Sequence, residues 1–271
     1  MINKKVVIVT GAAKGIGRAT ALQFASNGYC VALVDNDHPS LTEAGQEIEL
    51  ISNPEYLLLY GDIAEADFLQ TVIAETFNKW GRIDVLVNNA AWRTIETMRN
   101  IEVDVWEKTL KICLTAPAFL SKWSAAKMEE LQLPGVIINI SSMMSERPAG
   151  NSPAYIAAKG ALESLTRELA VTYGRSGIRV LSVRLGVVDT SMSHDYTNQD
   201  GNNISGQLIE HLVNATPLNR GGRPEEVADA VYWLCTDAAS FITGTSLLID
   251  GGFSQNMNSY AMKKLQFPNE Y

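Results

Sequence analysis

Cysteine is scarce in this chain, and the three residues present are far apart. Cys30, Cys113 and Cys235 form no Cys-x-x-Cys pair. Zinc sites and disulfide-stapled domains both need cysteines at short, repeated spacings. We therefore expect neither a metal site nor a disulfide framework, and we interpret the three side chains as small buried hydrophobic groups.

Positive charge is also in deficit, because 22 Lys and Arg residues stand against 30 Asp and Glu residues, a formal net charge of −8. Surfaces that bind nucleic acid or anionic membranes need clustered Lys and Arg. No apolar run approaches the length of about 18 residues that predicts a membrane-spanning helix. The first residues lack the architecture of a signal peptide. The sequence thus predicts a cytoplasmic protein that binds neither nucleic acid nor membrane.

The chain is long enough and apolar enough to form a large core, since it has 271 residues, of which 46% are hydrophobic. Short β-branched runs alternate with helical patterns along it, and such runs are typical of strands buried on both faces. The predicted strands are Val6–Thr10, Cys30–Asp35, Tyr56–Tyr60, Ile83–Val87, Val136–Ile140, Ile178–Leu185 and Ser246–Asp250. The predicted helices are Arg18–Asn27, Leu41–Ser52, Glu65–Trp80, Val103–Leu131, Pro153–Gly174 and one that begins at Pro224. No linker or repeat divides the chain, so we predict a single α/β domain with a doubly wound parallel sheet.

A glycine-rich turn, Thr10-Gly11-x-x-x-Gly15-Ile16-Gly17, joins the first strand to the first helix. Glycines allow a tight turn and let a phosphate come close to the backbone. The helix N-terminus adds free N–H groups and the positive end of the helix dipole. This context indicates a dinucleotide site, and a glycine-rich loop without a ligand is the alternative.

The second predicted strand ends in a carboxylate, Asp35. In dinucleotide folds an acid about 20 residues past the glycine-rich turn bonds the adenosine ribose hydroxyls and disfavours a 2′-phosphate. Asp35 therefore favours NAD. Lys14 is a counter-signal, since a basic loop residue can meet a 2′-phosphate, and NADP stays the less favoured alternative.

Tyr155 and Lys159 are one helical turn apart on the predicted helix 153–174. A nearby ammonium favours the phenolate and so lowers the pKa of a tyrosine towards neutrality, where a general base works best. The pair alone also fits two ordinary residues of a helix surface, so its context decides. Ligands in doubly wound folds lie beyond the carboxyl ends of the strands. That rule gathers Gly11–Gly17, Asp35, Asp62, Asn89, Ser142 and Gly186 onto one edge.

Several of these elements together resemble the short-chain dehydrogenase/reductase family. The matching elements are Thr10-Gly11-x-x-x-Gly15-Ile16-Gly17, Asn88-Asn89-Ala90, Ser142, Tyr155-x-x-x-Lys159, Asp189-Thr190 and Asp250-Gly251-Gly252. They occur in the family's order over about residues 4–254. The resemblance implies one Rossmann-type domain over 1–254 with about seven parallel strands, and commonly a homotetramer.

The resemblance also implies a hydride transfer between NAD(P) and a carbinol or carbonyl carbon. Tyr155 would be the general acid/base, Lys159 would lower its pKa and bind the nicotinamide ribose, and Ser142 would hydrogen-bond the substrate oxygen. The cofactor contacts expected from the residues and the resemblance are Gly11, Lys14, Gly15, Ile16, Gly17, Asp35, Asp62, Ile63, Asn89, Tyr155, Lys159, Val188 and Thr190.

Three positions depart from the family's usual pattern. Cys113 stands where the family usually has the Asn of a proton relay, Leu185 replaces a proline, and Ala91 replaces a glycine. These departures leave open a non-catalytic NAD-binding regulatory protein.

Residues that contact the substrate are expected in the segments that members of the family share least. The segment that follows Ser142 is similar to that of sugar-acid and polyol dehydrogenases. We expect Arg93, Glu146 and Arg147 to join Ser142 and Tyr155 around a sugar, sugar acid or polyol. Solvated loop charges are the alternative for the three charged residues. An apolar ketone or steroid is the alternative substrate, indicated by Trp92, Met143 and Met144.

Two further segments carry expectations. Residues 191–216 are predicted to form a lid, from which His194, Asp195 and Tyr196 could reach the substrate. The tail, 255–271, is predicted either to pack on a neighbouring subunit or to fray.

Overall fold

The computed structural model describes residues 4–51, 55–198 and 200–271, and a parallel sheet forms its centre. Its strands in the described chain are β1 Val6–Thr10, β2 Cys30–Asp35, β3 Glu55–Tyr60, β4 Val85–Asn88, β5 Gly135–Ser142, β6 Ile178–Leu185 and β7 Ser246–Ile249. They lie in the order β3-β2-β1-β4-β5-β6-β7, and each neighbouring pair is parallel. The predicted α/β fold with a seven-stranded parallel sheet is confirmed.

Helices cover both faces of the sheet. Those of the described residues are α1 Gly15–Ser26, α2 His38–Glu49, α3 Ala66–Trp80, α4 Val103–Leu110, α5 Ala116–Glu130, α6 Pro153–Tyr173, α7 Ser205–Ala215, α8 Pro224–Leu234 and α9 Tyr260–Gln266. Helices α1, α2 and α8 pack on one face, and α3, α5 and α6 pack on the other.

The sequence of β1 explains why this strand lies inside the sheet. Successive side chains of a strand point to opposite faces. Val7 and Val9 accordingly enter the core under α1, whereas Val6 and Ile8 enter the core on the opposite face. All four are fully buried, so an apolar residue is needed at every position rather than at alternate ones.

Helix α2 begins earlier than the sequence predicts. Asp37 caps it by accepting a hydrogen bond from the Ser40 backbone N–H at 3.2 Å, and Pro39 lies in the first turn, where proline is favoured. The helix therefore includes His38 and Pro39, which precede the predicted start at Leu41. Ser52, the predicted helix end, lies outside the described residues.

The predicted helical stretch 103–131 is interrupted. A π-helical segment, Lys111–Thr115, lies between α4 and α5. Segments of this kind insert an extra residue into a helix and are frequent at functional sites. Hydrophobic periodicity predicts a helix here but does not reveal the insertion.

Strand β5 continues further than predicted, through Ser141 and Ser142. Helix α1 begins at Gly15 rather than at Arg18, so the last glycines of the turn form the first turn of the helix. Both differences extend regular structure into the predicted site.

The predicted lid contains a short 3₁₀ turn, Ser191–His194, and helix α7. Gln199, inside this segment, lies outside the described residues. In the predicted tail, α9 lies against α7, and the Tyr260 and Tyr271 rings meet edge to face at 5.8 Å. The homotetramer and the contact of the tail with a neighbouring subunit stay predictions. None of the helices in 4–51, 55–198 and 200–271 is both long and apolar enough to span a membrane.

A buried polar network links two central strands to α6. Asn88 Nδ2 donates to Asn139 Oδ1 at 2.8 Å, and Asn139 Nδ2 donates to Thr166 Oγ1 at 2.9 Å. All three residues are at most 2% exposed. A buried polar group costs free energy unless it is paired, so these two hydrogen bonds stabilise the packing of α6 on the sheet.

Thr166→Val is expected to lower the free energy of unfolding by about 1–3 kcal/mol, because it leaves Asn139 Nδ2 buried without an acceptor. Thr172→Val is the matched control, since its hydroxyl bonds a carbonyl of the same helix from an exposed position. Urea denaturation measures both variants. An equal loss in the two would show that the network contributes nothing beyond helix propensity.

Candidate active site

The candidate site lies where the strand order reverses, between β1 and β4. In doubly wound sheets the crevice at such a point, beyond the carboxyl ends of the strands, is where ligands bind. The turn between β1 and α1 enters this crevice from one side, and the segment that follows β4 enters it from the other.

The glycine-rich turn is folded too tightly for side chains at two positions. A Cβ at Gly17 would lie 1.9 Å from the Gly11 carbonyl oxygen. A Cβ at Gly11, whose φ is +66°, would lie 2.8 Å from the Ala90 Cα. Ile16, between the glycines, packs against the adjacent core. The turn therefore presents bare backbone at the N-terminus of α1, which suits a phosphate.

Asn89 fastens this turn to the end of β4. Its side-chain Nδ2 donates to the Thr10 and Gly11 carbonyl oxygens at 2.9 and 3.1 Å. In return, the Thr10 hydroxyl oxygen accepts hydrogen bonds from the backbone N–H groups of Asn89 and Ala90 at 3.0 and 3.1 Å. Asn89 thus lies in the predicted cleft, and its side chain holds the shape of the turn.

Asp35 lies at the end of β2 beside the same turn. Its two oxygens accept hydrogen bonds from the backbone N–H groups of Ala13 and Asp37, each at 3.0 Å. Lys14 forms an ion pair with Asp37 at 2.6 Å rather than with Asp35. The hydrogen bond from Lys14 and those from Ser40 lower the pKa of Asp37 to about 2. Sequence reasoning missed Asp37, whose partnership with Lys14 depends on the fold.

The predicted adenine contacts follow β3. Asp62 Oδ1 accepts the Ala64 backbone N–H at 2.9 Å, an arrangement that shapes a local turn. Ile63 is 8% exposed and belongs to the core on the α3 side. Since β3 and β2 are neighbours, both residues lie at the same edge as Asp35.

Val188 and Thr190 approach the crevice from the segment that follows β6. Val188 is buried and forms an isolated parallel bridge with Gly222. Thr190 Cγ2 would lie 3.2 Å from a Cβ at Gly15. The segment that follows β6 therefore lies directly against the glycine-rich turn.

The three predicted catalytic residues come together on β5 and α6. The Ser142 hydroxyl lies close enough to the Tyr155 side chain to lower the pKa of the phenol. Lys159 Nζ lies 5.4 Å from the centroid of the Tyr155 ring. Lys159 is 2% exposed, and its Nζ donates to the Ile140 carbonyl oxygen at 2.6 Å. One polar group from the strand and two from the helix thus face one another.

Burial dominates the protonation of this pair. It raises the pKa of Tyr155, as does the neighbouring Cys113, whereas Arg93 and the Ser142 hydrogen bond lower it. Burial also lowers the pKa of Lys159, against the influence of Cys113 and Glu163. The net pKa of Tyr155 is therefore raised, because loss of water disfavours the phenolate. The lowering of this pKa by Lys159 stays a prediction.

Cys113 lies directly behind the pair, in the π-helical segment. It is fully buried, and its Sγ donates to the Trp92 carbonyl oxygen at 3.4 Å and accepts the Trp92 N–H at 3.5 Å. The residue that departs from the family pattern therefore binds the backbone of the segment after β4.

Arg93 is held by the predicted lid. Its Nη2 donates to the Met192 carbonyl oxygen at 2.6 Å and to Asp195 Oδ1 at 2.9 Å. The guanidinium carbon lies 4.8 Å from the centroid of the Tyr196 ring. Of the predicted lid contributors, Asp195 and Tyr196 meet this arginine, whereas His194 bonds Asp189 at 2.9 Å in an exposed position.

Glu146 and Arg147 are exposed, in the segment that follows Ser142. Glu146 forms an ion pair with Arg184 of β6, and its side chain is 70% exposed. Sequence proximity to Ser142 predicted all these charges in one pocket. The structure gives Glu146 a structural partner, so the solvated-loop alternative fits Glu146 and Arg147 better.

A family model described as "Enoyl-(Acyl carrier protein) reductase" matches residues 11–254 of the chain. The short chain dehydrogenase/reductase astE of Aspergillus oryzae is 34% identical over 251 residues, which are 92% of this chain and 95% of that protein. The chain belongs to the short-chain dehydrogenase/reductase family. The predicted family is thereby confirmed.

Other members of the family resemble the chain at similar levels. The L-rhamnose 1-dehydrogenase (NAD(P)(+)) of a Sphingomonas species is 31% identical, over 95% of this chain and 99% of that protein. The solved structure of 4-hydroxyisoleucine dehydrogenase complexed with NADH superposes with a TM-score of 0.82, at 26% identity. That match covers 93% of this chain and 99% of the other.

Short-chain dehydrogenases use a nicotinamide cofactor and bind small-molecule substrates. The residues of this chain fit such a cofactor. The bare backbone at Gly11 and Gly17 leaves the space that a pyrophosphate needs, and the carboxylate of Asp35 stands where adenosine ribose hydroxyls are bound in such folds. A nicotinamide dinucleotide can therefore be accommodated along this edge.

Glu163 is a further residue that sequence reasoning missed. It lies one turn after Lys159 on α6, is 8% exposed, and its Oε2 accepts the Ser182 hydroxyl at 2.9 Å. Its charge favours the ammonium form of Lys159. The i, i+4 spacing after Lys159 is the signal that could have found it.

Gly17→Ala is expected to weaken NADH binding at least tenfold, because the new methyl group would collide with the Gly11 carbonyl oxygen and displace the turn. Gly174→Ala is the control, since no atom lies within 4 Å of its Cβ position. NADH fluorescence titration measures the affinity, and thermal melting checks that both variants fold. Unchanged affinity in Gly17→Ala would show that the cofactor does not use this turn.

Proposed function

We propose that the chain is an NAD-dependent dehydrogenase that oxidises a carbinol carbon, or reduces the corresponding carbonyl, of a small polyhydroxylated substrate. Sugars, sugar acids and polyols make up this substrate class. The observation that carries the proposal is the clustering of Ser142, Tyr155 and Lys159 beside a glycine turn built to meet a phosphate.

The proposed roles follow from the groups that each residue offers. During oxidation the Tyr155 phenolate takes the proton of the substrate hydroxyl, and during reduction the Tyr155 phenol returns it. Ser142 donates a hydrogen bond to the substrate oxygen and stabilises the charge that develops there. Lys159 keeps an ammonium beside the phenol. The nicotinamide, when bound, accepts or supplies the hydride.

The residues proposed to hold the cofactor lie along the same edge of the sheet. Asp35 would bind the adenosine ribose hydroxyls, and Gly11–Gly17 would bind the pyrophosphate. Lys159 donates one hydrogen bond to the Ile140 carbonyl oxygen, and its remaining ammonium donors would bind the nicotinamide ribose. The remaining proposed contacts are Lys14, Asp62, Ile63, Asn89, Val188 and Thr190.

NAD is preferred over NADP in this proposal for an electrostatic reason. A 2′-phosphate would approach the carboxylates of Asp35 and Asp37, and like charges repel. Lys14, which could otherwise attract the phosphate, is already paired with Asp37. The complex of the similar 4-hydroxyisoleucine dehydrogenase with NADH supports the same choice.

The substrate class draws support from relatives. L-rhamnose 1-dehydrogenase, similar over nearly the whole chain, is named for a sugar. An apolar ketone is less favoured, because Trp92, one of the residues that indicated it, has its ring covered by Lys108 at 4.4 Å. A panel of sugars, sugar acids, polyols and steroids with NAD distinguishes the classes directly.

Tyr155→Phe is expected to lower kcat/KM at least about a hundredfold, since general acid–base catalysis contributes about 10²–10⁴. Burial raises the pKa of Tyr155 above its ordinary value, so at neutral pH the phenol form prevails. Oxidation, which needs the phenolate, should therefore accelerate with rising pH, and reduction, which needs the phenol, should not. Steady-state kinetics in both directions measure this.

Two outcomes would contradict these roles. Unchanged turnover in Tyr155→Phe on a confirmed substrate would show that another group moves the proton. NAD binding without turnover of any alcohol in the panel would instead favour the non-catalytic regulatory protein that Cys113, Leu185 and Ala91 leave open.

Asp35→Asn is expected to reduce the preference for NADH over NADPH by about tenfold, or ~1.4 kcal/mol, because the repulsive charge is removed. Asp229→Ala, which removes an exposed carboxylate of α8, is the control and should leave the preference unchanged. The two dissociation constants are measured by fluorescence titration. Tighter binding of NADPH than NADH by the unsubstituted protein would overturn the role given to Asp35.

A further inference from the structure

We propose that Arg93 recognises a carboxylate on the substrate, so that the substrates of this site are hydroxy acids and their oxo-acid counterparts rather than neutral sugars or polyols. This inference rests on the proposed dehydrogenase function and narrows its substrate class. It assigns Arg93 as the residue that determines specificity.

The first observation is a buried arginine with one nitrogen that lacks a hydrogen-bond partner. The Arg93 side chain is 5% exposed, and its Nη1 is buried without a hydrogen-bond partner among the residues that the structure describes. A guanidinium carries five N–H donors and no acceptor. Leaving donors of a charged group unpaired in a buried place is costly, so a site that retains them is adapted to an acceptor that arrives with a ligand.

The second observation is the position of Arg93 relative to the reacting groups. It follows β4 by a few residues, in the same segment as Ala90 and Ala91, which borders the crevice. Its charge reaches Tyr155 strongly enough to lower the pKa of the phenol. A substrate whose hydroxyl lies at Tyr155 could therefore place a second group at Arg93.

The third observation is that Arg93 already holds a carboxylate. Asp195 Oδ1 lies 2.9 Å from Nη2, while the Asp195 side chain is 46% exposed. A carboxylate with that much access to water gains little from an ion pair and can return to solvent at small cost. The geometry is therefore suited to exchange, in which a substrate carboxylate binds the guanidinium as Asp195 withdraws.

The planar shape of the guanidinium favours a carboxylate over a hydroxyl. Two parallel N–H donors match the two oxygens of a carboxylate, whereas a hydroxyl can use only one of them. The Tyr196 ring, 4.8 Å from the guanidinium carbon, holds the plane in place. Two other cations of the described residues have carboxylate partners of their own, since Lys14 pairs with Asp37 and Arg184 pairs with Glu146.

The test compares matched substrates that differ at one group. D-gluconate is paired with D-glucitol, and 3-hydroxybutyrate is paired with 3-hydroxybutyramide. The kcat/KM of each is measured with NAD for the unsubstituted protein, for Arg93→Gln and for Arg175→Gln, a control that removes an exposed arginine from the turn after α6. Binding of the two acids to the NADH-loaded protein is measured by calorimetry.

The acid of at least one pair should be preferred by the unsubstituted protein, and Arg93→Gln should cut that preference at least tenfold, mainly through KM. Arg93→Lys should retain only part of the preference for the acid, because lysine keeps the positive charge but lacks the two parallel N–H donors of a guanidinium. Arg175→Gln should change nothing. Asp195→Asn should lower the KM of the acid and leave that of its neutral partner unaltered.

Two results separate the failure of this inference from the failure of the proposed function. The acid and the neutral compound of each pair could be oxidised equally well, or Arg93→Gln could lower the kcat/KM of both by the same factor. In either case the dehydrogenase function stands and carboxylate recognition is overturned. If no alcohol is oxidised but the acids bind in a manner that Arg93→Gln abolishes, carboxylate recognition stands and the dehydrogenase function fails.

Discussion

The site depends on the close approach of two backbone segments at the N-terminus of α1. Gly17 can lie against the Gly11 carbonyl only because Gly17 has no side chain, and Gly11 can lie against Ala90 for the same reason. Asn89 then holds the turn from the neighbouring strand through two hydrogen bonds to backbone carbonyls. Asn89 follows the central strand β4, and the segment proposed to bind the substrate continues from it. The same residue therefore positions both the glycine-rich turn and the start of that segment.

Loss of water is the second constraint, and it acts on every charged group near the reaction. Burial keeps Tyr155 in its phenol form and weakens the hold of Lys159 on its proton. Positive charge nearby is then needed to favour the phenolate, and Arg93 supplies part of it. A group that recognises the substrate therefore also influences the residue that would exchange its proton.

The sequence predicted the sheet well because β-branched apolar runs such as Val6–Thr10 are typical of strands buried on both faces. Helical spacing related Tyr155 to Lys159, and the rule on strand ends placed Ser142 at the ligand edge of the sheet. Their union in one site was implied by the family resemblance. It could not predict the π-helical segment at Lys111–Thr115, because one inserted residue barely alters hydrophobic periodicity. Nor could it predict the pairings of Lys14 with Asp37 and of Glu146 with Arg184, which join segments that only folding brings together.

The buried network of Asn88, Asn139 and Thr166 has a consequence for catalysis as well as for stability. Asn139 precedes Ser142 on β5 by three residues, and Thr166 follows Tyr155 on α6 by about three turns. A hydrogen bond between Asn139 and Thr166 therefore fixes how far the helix can slide along the strand. The distance between the Ser142 and Tyr155 hydroxyls therefore depends on a hydrogen bond in the core, which forms without any substrate.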